Sequence, residues 1–469
     1  MKYSHIYIKS VDIKNVRTFE NAAINFEKED GTLPQWTLIL GDNAIGKTTI
    51  LQSVAWMKPL VHDLKDDLGD KIKKKDIEPV INNEDNSTLE RLVNRNGFLN
   101  AQINAVYVAD CILGKKNTAN ENKSCKSEIL IKLDDKRELE DVKMKFNTDF
   151  EDIFFKNEVV IYPYSASRRI GRSNIYDSEQ EDLTVMFNAE DTQLYDVEEV
   201  LHTLNYASLG ADKKESAKYK KYLSKVIVML LSVLPEYDDV QKVEIATPKL
   251  VGNVIKPGEV LLTTKHGIKI PYSNLSLGYK SIISLTVDLS WRLINKYPES
   301  PNPLKEAAIV LIDEIDSHLH PLWQREIIQK LSSHFPNVQF IATAHSPLIV
   351  QAAMDANYEI LKSEGNVVLV INDTENVDGW RIDQILTSDF FGLSTSRGPE
   401  IQKKIDQRRE LLKLQHLDNS QKAILKKLNA EIYELPVGET KQEIEAMDVL
   451  RNFSKELEAL KLKENDKIN

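Results

Sequence analysis

The stretch WTLILGDNAIGKTT (36–49) decides the architecture of this chain. It opens as an apolar run ending at Gly41, the pattern of a strand buried on both faces. Residues 41–49, GDNAIGKTT, fit G-x-x-x-x-G-K-[ST], and TTILQSVAWM (48–57) continues with helical character. Strand, glycine-rich turn and helix in that order place backbone N–H groups at a helix N-terminus, facing a phosphate. Gly41 and Gly46 let the loop curl. Lys47 is expected to bridge the β- and γ-phosphates of ATP, and the Thr48 hydroxyl to reach Mg2+. Asn43 and Thr49, on the same loop, are counted with Gly46, Lys47 and Thr48 as nucleotide contacts.

Three further segments follow. IVLIDEID (309–316) is a buried run ending in acids. Asp313, at the strand's carboxyl end, is suited to the metal's water shell. Glu314 points differently and can polarise an attacking water as general base. FIATAHS (340–346) reads as a neighbouring parallel strand whose His345 can sense the γ-phosphate. NLSLGYKS (274–281) opens a helix some 35 residues before Asp313. Ser276 and the N–H of Gly278 sit at its positive end, suited to the γ-phosphate of an ATP held by another subunit's Lys47. That implies ATP-dependent association through composite sites, as a dimer or a larger homo-oligomer.

Composition sets the bounds. The 469 residues are 42% apolar and 28% charged, ordinary for a globular chain of more than one unit. No run reaches the roughly 20 apolar residues that span a bilayer, and MKYSHIYIKSVDIKNV has no signal-peptide core. No membrane association and a cytoplasmic location are therefore expected. Cys111 and Cys125 read as free thiols. The net charge of −11 opposes indiscriminate coating of nucleic acid. Local basic groups remain at Lys71, Lys73, Lys74 and Lys75, read as a solvated helix face, and at Arg168, Arg169 and Arg172. They leave a direct DNA contact open.

The motif set resembles the ABC-type ATPases of the RecF, SMC and OLD group (AAA-15 and AAA-21 domains). DEIDSHLHPLWQ (313–324) is its most specific piece. In that group an acidic pair followed by a His-Leu-His-Pro turn crosses a dimer interface, which implies interface roles for Asp316, His318 and His320. The alternative is a simple helix-capping turn. KNVRTFENAAINF (14–26) resembles the group's opening, where an arginine at the place of Arg17 nears the nucleotide. Ala44 stands where glycine is frequent. No glutamine marks the loop that couples γ-phosphate to the rest of the protein; YPYSASRR (162–169) occupies that place, with Ser167 or Arg168 as substitutes.

The fold implied is α/β: an ABC-type head, a P-loop mixed sheet with a helical signature subdomain, an inserted α+β segment and a helical C-terminal tail. Its expected divisions are an N-terminal lobe (1–60), an insertion (61–150), a core strand with a Q-loop-like segment (151–172), a helical insertion (173–255), the signature-to-histidine block (256–395) and a helical region for assembly or partner binding (396–469). The chain most resembles the Septu (PtuA) and retron-associated antiphage ATPases, with the PARIS ATPase AriA close behind. This resemblance implies a separate nuclease of HNH or TOPRIM type encoded nearby. A nuclease within the chain is disfavoured, because no D-x-D follows His345. The alternative is a RecF-like repair ATPase whose ATP-dependent dimer clamps DNA, against which the acidic balance weighs. A transporter ATPase subunit fits less well, given the insertion and the His-Leu-His-Pro turn.

Overall fold

The computed structural model describes residues 5–433 except 66–70, 80–85, 95, 110, 116–122, 147–158, 174–192, 235–239, 252, 257, 366, 374–376, 394 and 415–417. The helix expected in EIEAMDVLRNFSKELEALKL (443–462) lies outside the described residues. The chain divides into two units, Met1–Gly392 and Leu393–Asn469.

The larger unit is built on a six-stranded sheet in the order Val367–Asp373, Asn357–Glu364, Trp36–Gly41, Val338–Thr343, Ala308–Ile312 and Ile161–Tyr164. All neighbours are parallel except Val367–Asp373, which pairs antiparallel with Asn357–Glu364. The strand leading to His345 thus lies between the phosphate-loop strand and the acidic strand. Both loops therefore open at the same carboxyl edge, where ligands bind in parallel α/β sheets.

Alternate side chains of these strands enter two different cores. Trp36, Leu38, Leu40, Val310, Ile312, Phe340 and Ala342 join a cluster with the helical residues. Ile39, Ile309, Leu311 and Ile341 join a second cluster with the N-terminal strands. A sheet covered on both faces needs near-continuous apolar runs, which is why WTLILG, AIVLI and VQFIAT read as they do.

The second layer is an antiparallel sheet in the order Phe19–Asn25, Ile6–Val16, Asn100–Ala109, Lys123–Leu133, Leu139–Phe146. Residues 61–150, expected as an insertion, supply three of these strands: Ile6 pairs with Ala109 and Lys14 with Gln102. This stretch pairs with the N-terminal strands rather than standing apart from them. The lysine run differs from its expectation. Lys71, Lys73, Lys74 and Lys75, expected on a helix face, lie on the strand Lys71–Pro79, paired with Pro59–Lys65. Cross-strand pairing here overrides the helix propensity of lysine.

On the other face, helices Val197–Ser208 and Lys213–Val233 are capped by Asp196 and Asp212, whose carboxylates each accept two backbone N–H bonds. They pack with the helix Leu277–Lys296, buried over most of its length from Ser281 to Ile294. The architecture is α/β: a mixed six-stranded sheet with an antiparallel sheet on one face and helices on the other.

The smaller unit contains helices Pro399–Lys413 and Asn419–Tyr433. Lys404 pairs with Glu431 at 2.8 Å, and Arg408 Nε donates to Asn429 Oδ1 at 2.6 Å, so the two run antiparallel as a hairpin. No described helix is long and apolar enough to cross a membrane.

Candidate nucleotide-binding and hydrolytic site

The helix Lys47–Trp56 starts from Gly46, which holds φ 119°; a Cβ there would lie 2.8 Å from the Phe19 ring. Only glycine suits both demands. Ala44 at φ 62° is left-handed as well, so the alanine stands in a conformation that glycine would adopt without strain. Lys47 Nζ donates to the carbonyls of Gly41 (2.7 Å) and Asp42 (2.8 Å), which draws the ammonium back over the loop. Burial pushes its pKa down, while the nearby charges of Asp313 and Glu314 oppose the shift.

The Thr48 hydroxyl donates to Asp313 Oδ2 at 2.8 Å. Two residues 265 positions apart meet there, one from the phosphate-loop helix and one from the acidic strand. A hydroxyl and a carboxylate are both hard oxygen donors, the set that shares Mg2+ with nucleotide phosphates and water. Among the described residues, no group of three or more His, Cys, Asp or Glu could hold a metal from protein alone. It is the Thr48 and Asp313 oxygens that fit a metal held jointly with a nucleotide.

Asp313 and Glu314 are fixed by a residue the sequence reading passed over. Thr343 Oγ1 donates to Asp313 Oδ1 at 2.6 Å and accepts from the Glu314 N–H at 2.7 Å. Thr343 is fully buried. One hydroxyl proton serves the carboxylate while a lone pair serves the peptide. Its signal was present in FIATAHS: a polar side chain inside an otherwise apolar strand end. Glu314 has φ 50°, an unfavourable backbone for a glutamate, of a kind that clusters at functional sites. Arg168 reaches the same peptide, donating from Nη2 to the Glu314 carbonyl at 2.9 Å.

The His345 N–H donates to Asp316 Oδ2 at 3.0 Å, and the imidazole itself is exposed. Asp316 Oδ1 is buried and has no hydrogen-bond partner among the described residues. Thr49 is drawn the other way, accepting from Arg17 Nη1 at 3.3 Å; Arg17 also bonds Gln52 and lies over the Trp56 ring at 5.7 Å. Beside the loop, Arg17, Thr18, Asn43, Arg91, Asn94 and Asn96 line a cleft of about 900 Å³. Arg91, Asn94 and Asn96 carry no motif and were not legible in the sequence.

Ser276 and Gly278 belong to a different cluster. Ser276 caps the helix Leu277–Lys296 by position only: its side chain makes no capping bond and is exposed. A Cβ on Gly278 would lie 2.7 Å from the His318 carbonyl oxygen and 2.9 Å from the Trp323 ring. The signature thus packs on the His-Leu-His-Pro turn, with Tyr279 edge-on to Trp323 at 4.4 Å. His320 accepts from the Leu322 N–H at 3.3 Å, the capping role weighed above. His318 is exposed at φ 64°. Among the described residues no hydrogen bond joins Ser276 to the phosphate loop.

Two family models match this chain. One, described as "AAA domain, putative AbiEii toxin, Type IV TA system", covers residues 163–351, and another, described as "AAA domain", covers 10–234. Among relatives, "Retron Vc95 probable ATPase" of Vibrio cholerae serotype O1 biovar El Tor is 25% identical over 428 residues, 81% of this chain and 80% of that protein. "Septu protein PtuA" of Bacillus mycoides (strain KBAB4) is 26% identical across 93% of this chain, which spans 52% of that protein. "Septu protein PtuA" of Bacillus thuringiensis is 31% identical across 32% of this chain and 41% of its own length. The chain resembles the Septu protein PtuA and the retron probable ATPase.

Proposed function

We propose that this chain is the ATP-binding and hydrolysing subunit of a bacterial antiphage defence system. In this reading it oligomerises through ATP sites shared between subunits and controls a separate nuclease subunit. The observation that carries the ATPase reading is the meeting of Thr48 and Asp313 at 2.8 Å beside Lys47 and Glu314. The defence setting rests on the similarity, at 25% and 26% identity, to the retron ATPase and the Septu protein.

The roles follow from chemistry. Lys47 and the N–H groups of the loop bind the β- and γ-phosphates. Thr48 and Asp313 would hold Mg2+, which when bound would withdraw charge from the phosphate oxygens. Glu314 takes the proton of the attacking water. His345 hydrogen-bonds the γ-phosphate. In the composite site, Ser276 and the Gly278 N–H of a second subunit close over that phosphate, with Asp316 at the seam. Cytoplasmic location and the domain divisions given above belong to the same proposal.

The test is the native mass of this chain, tagged and expressed together with its flanking genes. A large complex containing a nuclease is the expected result. A lone chain that dimerises only with ATP and DNA would refute the nuclease-controlling role and favour a DNA clamp.

A further inference from the structure

We propose that Arg168 is a positioning residue for ATP hydrolysis, acting through the peptide of Glu314 rather than on the nucleotide. The inference rests on the reading of Glu314 as the base. A left-handed residue at φ 50° relaxes by turning its flanking peptides unless both are tied. At Glu314 both are. The preceding peptide is held by its own N–H, which donates to Thr343 Oγ1 at 2.7 Å. The following peptide is held on both sides: the Ile315 N–H donates to the Thr343 carbonyl at 3.0 Å, and Arg168 donates to the Glu314 carbonyl at 2.9 Å.

Thr343 belongs to the sheet's interior, so its two bonds are supplied by the core. Arg168 is the side-chain tie that reaches Glu314 from outside the neighbouring strand; it shares the Glu314 carbonyl with the Ser317 N–H, a turn bond of the same loop at 3.0 Å. It lies four residues past Tyr164, whose carbonyl accepts the Asp313 N–H at 2.8 Å. A single segment, Tyr164 to Arg168, therefore anchors the backbones of both acids. Burial pulls the guanidinium's pKa down, and the charges of Asp313, Glu314 and Asp316 act against that loss. The same three carboxylates keep the side chain in place electrostatically. Ser167 or Arg168 was expected to stand in for the missing glutamine of the coupling loop; in the structure Arg168 meets the Glu314 carbonyl.

The experiment compares ATP turnover and nucleotide binding for R168A, R168K and E314Q, and for R168A combined with E314Q. A base displaced by about 1 Å loses on the order of 100-fold in rate. R168A is expected to lower kcat by that order while the KM for ATP and the affinity for a fluorescent ATP analogue stay within about 3-fold. R168K, a single-point donor on a shorter reach, should recover part of the rate, as should millimolar guanidinium ion added to R168A. In the E314Q background, R168A should have no further effect on residual turnover. Loss of nucleotide binding in folded R168A, or full additivity with E314Q, would overturn the proposal. If R168A does not fold, R168K reads the same kcat-against-KM split. Should E314Q alone turn over ATP at the parental rate, the base assignment fails, and that failure is visible separately.

Discussion

Thr343→Val removes one hydroxyl and keeps the shape of the side chain. Two groups lose their partner: Asp313 Oδ1, which accepts at 2.6 Å, and the Glu314 N–H, which donates at 2.7 Å. A hydrogen bond to a carboxylate contributes about 1.5–3 kcal/mol and a neutral one about 1 kcal/mol. The Thr343 side chain is fully buried, so a water has no ready way to replace its hydroxyl. The combined loss is about 3 kcal/mol, and it falls on the residue that holds the metal and the residue that activates water. Expressed in the transition state, this is roughly a 100-fold fall in kcat, since about 1.4 kcal/mol is a factor of ten. Thr343→Ser keeps the hydroxyl and should keep most of the rate. Phosphate release at saturating ATP and Mg2+ measures the effect, with a thermal melt run alongside to separate misfolding from mispositioning. A Thr343→Val protein with parental kcat would show that the hydroxyl does not position the acids, and the argument built on it would fall.

Glu314→Gln should retain ATP while turnover falls at least about 100-fold, because Lys47, Thr48 and Asp313 are spared; Lys47→Ala should lose nucleotide binding, and filter binding of radiolabelled ATP tells them apart. Gly278→Ala sets a Cβ 2.7 Å from the His318 carbonyl and should displace the turn at about 1–3 kcal/mol. ATP binding by the single subunit should persist, while ATP-driven assembly in a Glu314→Gln background, read as native mass, weakens about tenfold or more; undiminished assembly would place the subunit seam elsewhere. Glu359 is fully buried, and that burial raises its pKa from 4.5 to about 7. Between those values the unfolded chain is ionised while the folded chain keeps its proton, so stability falls as pH rises through this window, by about 3 kcal/mol in all. Glu359→Gln should be more stable than the parent at pH 8 and equal to it near pH 4 by urea unfolding; a constant difference across pH would contradict this.

What the sequence made legible was local and repetitive in its physics. Apolar runs covered on both faces announced the strands at 36–41, 308–312 and 338–343, and the loop chemistry at 41–49 needed only neighbours in the chain. What it hid was pairing at a distance. Nothing in INAVYVADCI says that its partner is the strand beginning at Ile6, about a hundred residues earlier, because alternation states that a strand has two faces and not which edge it joins. Arg168 was visible as a candidate, but its acceptor is a backbone carbonyl, which no side-chain motif encodes. The left-handed turn at Glu314 was equally hidden, since its cause is the set of ties around it rather than the glutamate itself.

Within one subunit, the signature helix is joined to the strand beside the acids through Asp288. Asp288, on the helix that Ser276 opens, is fully buried. It accepts from Tyr164 OH at 2.8 Å, from the Tyr195 N–H at 2.9 Å and from Arg292 Nε at 2.6 Å. Arg292 in turn lies over the rings of Tyr195 and Tyr162, at 5.0 and 5.8 Å. Asp288 and Arg292 lie on the same helix and move together. What crosses to the strand is the Tyr164 hydroxyl's bond to a buried carboxylate, about 1.5–3 kcal/mol and comparable with a typical allosteric coupling of about 1–3 kcal/mol. A shift of the helix Leu277–Lys296 against the strand Ile161–Tyr164 therefore has to break that bond. That strand carries the carbonyl that holds the Asp313 N–H and leads directly into Arg168. In the proposed composite site, a load placed on Ser276 by another subunit's phosphate thus arrives at Asp313 and Glu314 of the subunit that supplied the serine. The coupling between sites would run through Tyr164, whose hydroxyl holds the buried carboxylate of the signature helix.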